Sequence, residues 1–125
     1  MGSYIPLKDM EIYKLSRELS SMMWTIYEGM TWQIHKIIGD QAITSCDSVG
    51  ANIAEGYARY GQKDKIRFYI YSRGSLLEFA GHWLELMHER EFIDTKNFKL
   101  MKNKAKVLEV KLNNYITSIR SSDKF

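Results

Sequence analysis

Between Phe98 and Ile119 apolar residues recur in a strict alternation of three and four: Phe98, Met101, Ala105, Leu108, Leu112, Tyr115 and Ile119. Only a helix gathers that spacing into one stripe, and the stripe is stable only when other helices cover it. The sole proline is Pro6, so no later helix is interrupted by a residue lacking its N–H. Three earlier stretches keep the same period. The first runs from about Leu7 to Glu28, with Ile12, Leu15, Leu19, Met22 and Ile26 as its seam and Gly29 as its stop. The second runs from about Gln33 to Tyr60, with Gly39 and Asp40 marking a kink or a delayed start and Gly61 ending it. The third runs from about Lys63 to Glu89 and turns Ile66, Tyr69 or Ile70, Leu76 or Leu77, Ala80, Trp83 or Leu84, and Met87 inward. Asp94 or Thr95 caps the fourth, which reaches about Ser121. Short connections make consecutive helices antiparallel neighbours. The expected fold is therefore all-α, an antiparallel up-down four-helix bundle with long helices and short loops. Residues 1–125 read as one domain, with 1–6 a loose N-terminal segment.

The middle of the second helix, Val49 to Arg59, is crowded with small residues. Val49, Ile53 and Tyr57 share an apolar face, and Asn52, Glu55 and Arg59 form a polar line beside it. Gly50, Ala51, Ala54, Gly56 and Ala58 keep this helix thin. A glycine inside a helix costs about 1 kcal/mol relative to alanine, so close approach by neighbouring helices is what justifies two of them. The polar line reads as a partly desolvated network that fixes helix register, with Glu55 accepting from Arg59 or from a third-helix donor such as Ser75, and with Ser75 and Glu78 as the network's partners on that helix. The third helix is apolar over more than half its circumference, wider than one seam requires, which suggests burial against a second subunit.

Composition narrows the function classes. Cys46 is the only cysteine, so no intramolecular disulfide forms and a reducing cytoplasm is the expected compartment. No basic-then-apolar leader opens the sequence, and no apolar run approaches the roughly 20 residues of a membrane span. Net charge is +3, but residues 94–125 hold eight Lys/Arg against three acids. Lys96, Lys99, Lys102, Lys104, Lys106 and Lys111 lie off the fourth seam and form a candidate phosphate-binding face, or else a solvated one. Tyr4, Tyr13, Trp24 and Trp32 offer stacking surfaces or fill the bundle ends.

Catalytic and metal signals are thin. Glu85-Leu86-Met87-His88 matches the Glu-x-x-His of di-iron bundles, but those need a second copy and further inward glutamates. His82 and Glu89 beside it read as a solvated helix end. Cys46 sits among Ser45, Asp47 and Ser48 with no activating histidine in its segment. No hydrolase triad or glycine-rich phosphate loop is marked. No cofactor, metal site or catalytic residue is expected.

The run from Gln41 to Arg59, with Asn52-Ile53-Ala54-Glu55-Gly56 at its heart, is followed by Arg67-Phe68-Tyr69-Ile70 and Gly74-Ser75-Leu76-Leu77-Glu78. Over about Leu7 to Ile119 the chain resembles the bacterial four-helix bundle proteins known as 23S rRNA intervening-sequence proteins, or the S23 family. The resemblance implies a ring-shaped homopentamer and genes inside intervening sequences of large ribosomal RNA. It also implies relatives that serve as reverse-transcriptase accessory proteins binding the transcriptase and nucleic acid, with no enzymatic activity. Two departures stand out. Met30-Thr31-Trp32 replaces a frequent Phe-Pro pair, and Ala42-Ile43 stand where many members carry two arginines.

The expectation is a non-enzymatic, homo-oligomeric and pentameric scaffold. Its partners would be RNA or DNA, a nucleic-acid enzyme such as a reverse transcriptase, or both, with no membrane. A protein-interaction module without a nucleic-acid role is the rival reading. At +3 per copy, five copies would carry +15.

Overall fold

The computed structural model describes residues 5–122, and four helices account for most of them. Helix α1 is Glu11–Glu28. Helix α2 covers 32–58, α3 covers 62–89, and α4 is Thr95–Ser122. Each helix packs against its sequence neighbour, and α4 closes the ring against α1, giving the antiparallel up-down bundle expected.

The helix ends follow from local chemistry. Leu7–Asp9 forms a separate 3₁₀ turn because Met10 is extended (φ −67°, ψ 129°), so α1 begins four residues later than its pattern suggested. The Thr31 side chain accepts from the Ile34 amide to start α2, and Asp94 accepts from the Asn97 amide at 2.7 Å to start α4. At the end of α3, Glu91 adopts a left-handed conformation (φ 61°). The Phe92 amide there reaches back to the Met87 carbonyl at 2.8 Å, and that of Glu91 to His88 at 3.1 Å. This is a Schellman closure made without glycine.

Two segments are wound more loosely, with π-type bonding: His35–Gly39 in α2 and Leu77–Trp83 in α3. The Gly39–Asp40 region is thus neither a helix start nor a sharp kink. In α3 the looser winding changes which side chains face inward. Leu76 is buried as expected, Phe79 rather than Ala80 takes the next fully buried place, Leu84 follows five residues later, and Leu77 is left 68% exposed. A comparable phase drift replaces Tyr115 with Ile116 in the α4 core, because 3.6 residues per turn does not track a 3.5 repeat. On α1 the deepest positions are Ile12, Ser16, Leu19 and Met23, with Leu15, Met22 and Ile26 half-buried on the flank.

The thin middle of α2 does what its composition suggests. Val49 and Ile53 are fully buried. A Cβ added at Gly50 would stand 2.9 Å from Ser16 Oγ of α1, and one at Gly56 would stand 2.7 Å from the buried Tyr69 ring of α3. Real Cβ contacts do not come so close, so α1 and α3 approach at distances only glycine allows.

Gly56→Ala should therefore lower the melting temperature. Overpacking against the immobile Tyr69 ring costs about 1–3 kcal/mol and outweighs the roughly 1 kcal/mol gained in helix propensity. Gly74→Ala, whose Cβ would meet nothing within 4 Å, should raise it by up to about 1 kcal/mol of stability. Thermal melts followed by circular dichroism check the opposite signs.

Candidate functional site

The polar line of α2 divides into separate groups. Asn52 Nδ2 donates to the Ser48 carbonyl at 2.9 Å and to Ser48 Oγ at 3.1 Å, and Ser75 Oγ of α3 donates to Ser48 Oγ at 3.0 Å. Beside this chain, fully buried Ser72 donates to the Val49 carbonyl at 2.7 Å. These hydroxyls tie α2 to α3. Ser48 and Ser72 carry that link, and serine is too common in helices to mark such a role in advance.

Glu55 is not part of the network, which corrects the expectation of a desolvated carboxylate. It points away from α3, 54% exposed, and pairs with Arg59 at 2.9 Å on its own helix. Ser75 does not reach it. Glu78 is exposed and accepts instead from Trp83 Nε1 at 2.9 Å.

The lysine face of α4 is largely neutralised within the chain. Lys104 pairs with Glu18 at 2.7 Å and Lys111 with Glu11 at 3.2 Å, both reaching across to α1. Lys102 pairs with Glu85 at 2.6 Å and donates to the Ala80 carbonyl in the π-wound part of α3. Lys106 leans on Glu109 of its own helix at 3.5 Å. Among the described residues only Lys96 and Lys99 of the six have no acidic partner. The seam spacing placed these lysines off the core correctly but could not see the acids facing them.

A different cluster gathers at the α2–α3 turn. The Arg59 guanidinium lies 4.6 Å from the centroid of the Phe68 ring and that of Arg67 lies 5.1 Å from it. Arg67 also pairs with Asp64 at 3.1 Å. Tyr60, between Arg59 and Gly61, is fully exposed. Lys65 donates to the Tyr57 and Gly56 carbonyls at 3.0 and 3.3 Å, closing the C-terminus of α2 onto the start of α3. Burial pushes its ammonium below the ordinary lysine range. The alternation of Arg-Tyr-Gly and Arg-Phe around one turn was the available sequence signal.

The remaining candidates are committed elsewhere. Tyr4 lies outside the described residues. The Tyr13 hydroxyl accepts from Arg17 at 2.9 Å. Trp24 is 50% exposed and stacks on Tyr27, while Trp32 is 66% exposed. Glu85 is held by Lys102, and His88 stacks face to face on Phe98 at 4.0 Å, so the Glu-x-x-His pair does not converge. Among the described residues no three metal-ligating side chains gather, and no helix is long and apolar enough to cross a membrane. Cys46 is fully buried with Ser20 Oγ 3.9 Å from its sulfur. Desolvation pushes its thiol up to about 12, with Asp47 adding to the rise and Ser20 opposing it.

Glu55→Gln should change stability by well under 1 kcal/mol, as exposed i,i+4 pairs do. Ser72→Ala should cost about 1 kcal/mol or more for the lost buried hydrogen bond, and denaturant melts compare the two. Cys46 should resist iodoacetamide at pH 8 until the chain is unfolded. Because its folded-state pKa is raised, the thiol's contribution is intact below about pH 9 and is lost as pH rises toward 12. Melting temperature should consequently fall more steeply above pH 9 in the wild type than in Cys46→Ala.

Comparison with known proteins agrees with this architecture. A crystal structure of a protein of unknown function from the S23 ribosomal protein family of Bacteroides thetaiotaomicron VPI-5482 superposes with a TM-score of 0.75. The match covers 84% of this chain and 97% of that one at 21% identity, which shows a shared fold. No curated protein matches significantly. The model of the family described as 23S rRNA-intervening sequence protein matches residues 8–114. With its four helices and the Asn52–Gly56 core inside that span, the chain belongs to the 23S rRNA-intervening sequence protein family.

Proposed function

We propose that this chain is a non-enzymatic, homo-oligomeric helical scaffold of the cytoplasm, pentameric, that binds nucleic acid, a nucleic-acid enzyme such as a reverse transcriptase, or both. The observation that carries the oligomer is the apolar surface left outside the bundle. Leu77 and Tyr71 on α3 and Leu100, Val107 and Val110 on α4 are all between 45% and 68% exposed. An apolar surface on two adjacent helices is what a second subunit covers. Family membership supports the same reading.

The nucleic-acid half rests on the chain's basic balance and on the family resemblance. The pairing of Lys102, Lys104, Lys106 and Lys111 with acids favours the rival reading, a protein-interaction module, at the α4 face itself.

Light scattering after gel filtration should give a mass near five times 14.7 kDa. Leu77→Glu, a change at a site already exposed in one chain, should shift that mass toward 14.7 kDa with helicity retained. A wild-type monomer at micromolar concentration would refute the oligomer. Retention on immobilised RNA that falls with salt supports nucleic-acid binding over the rival module, and absence of retention at low salt rejects it.

A further inference from the structure

We infer that the α2–α3 turn, built from Arg59, Tyr60, Lys63, Arg67 and Phe68, is a contact surface for single-stranded nucleic acid. The inference rests on the nucleic-acid part of the proposed function and moves its site away from the lysine helix.

Single-strand binding needs cations for the phosphates and an exposed ring for a base, held close together. The turn supplies both. Tyr60 is fully exposed at the apex, so its ring is open to stacking. Arg59 and Arg67 lie 4.6 and 5.1 Å from the Phe68 centroid, which restrains two flexible side chains beside the apex. Lys63 is exposed, with no acidic partner among the described residues.

The backbone beneath is fixed. The Arg59 amide bonds to Gly56 and the Lys65 amide to Gly61, both at 3.1 Å, while the Lys65 ammonium holds the last carbonyls of α2. Little further ordering is required to present the ring and the guanidiniums.

Two acids compete for the site. Glu55 holds Arg59 at 2.9 Å and Asp64 holds Arg67 at 3.1 Å, but all four side chains are 42–54% exposed. Such pairs are weak, and a guanidinium forms charge-assisted, bidentate bonds with phosphate. Phosphate can displace or share them. On α4, by contrast, Lys104 and Lys111 each bridge to another helix.

The test uses the full chain in its native assembly and measures fluorescence anisotropy of labelled 20-nucleotide oligo-dT and oligo-rU across a salt series. Tyr60→Ala should weaken binding about tenfold, within the range measured for loss of one stacked base. The double variant Arg59→Gln/Arg67→Gln should flatten the log–log salt slope by about 1.4, at roughly 0.7 per phosphate contact on a single strand. Lys104→Gln/Lys111→Gln should leave both readouts close to wild type. Tyr60, Arg59 and Arg67 are exposed and Lys104 and Lys111 are half-buried, and melting curves verify that each variant folds.

If the wild type binds and the turn variants bind equally well, the turn assignment is wrong while nucleic-acid binding stands. If duplex of the same length binds as tightly as single strands and Tyr60→Ala has no effect, the contact is electrostatic only and the stacking role is overturned. If the wild type binds neither oligonucleotide at about 50 mM salt, the nucleic-acid reading itself fails and the turn assignment with it.

Discussion

The bundle depends on how near two helices come to the middle of α2. At Gly50 the Ser16 side chain of α1 occupies the space a Cβ would need, and at Gly56 the Tyr69 ring of α3 does the same. Close approach on two sides makes α2 the axis of the structure. It also brings Ser72 within 2.7 Å of the Val49 carbonyl and Ser75 within 3.0 Å of Ser48. Short hydroxyl side chains bridge two backbones only when the helices are this close. The apolar contacts and the hydroxyl bonds thus have one cause, the absence of side-chain bulk at two positions.

Charge plays a different part on each side of the molecule. Lys104 and Lys111 are tied to Glu18 and Glu11, so the edge where the first and last helices meet is stitched by ion pairs. Each pair contributes little in water, and the gain in stability is modest. Their larger effect is on surface potential, because a helix rich in lysine is partly neutralised by its neighbours. At the α2–α3 turn the ion pairs stay within one helix, and aromatic rings lie among the cations. A basic composition therefore says less about where an anion binds than the positions of the facing acids do.

The two π-wound segments show how a helix departs from its own pattern. Seven loosely wound residues in α3 carry Phe79 into the core, and the Ala80 carbonyl within them accepts a lysine from α4. At the start of the same segment Leu77 is the most exposed leucine and belongs to the proposed subunit contact. One local adjustment thus serves core packing and the contact between α3 and α4.

The sequence by itself determined the helices, their order and their antiparallel arrangement, because apolar spacing, the Gly29 stop and the Asp94 cap are properties of neighbouring residues, although Gly61 begins α3 where it was expected to end α2. It also determined that α2 must be thin, since internal glycines are costly without close packing. Three things were decided only by the folded chain. Glu55 faces solvent because the polar line runs along the outer edge of α2, and periodicity alone does not say which edge a third helix will cover. Phe79 and Ile116 took the deepest places expected of Ala80 and Tyr115 because π winding and a 3.6-residue turn shift the phase over long helices. The lysines of α4 met the glutamates of α1 because residues about ninety positions apart in sequence lie side by side, and no local pattern encodes that distance.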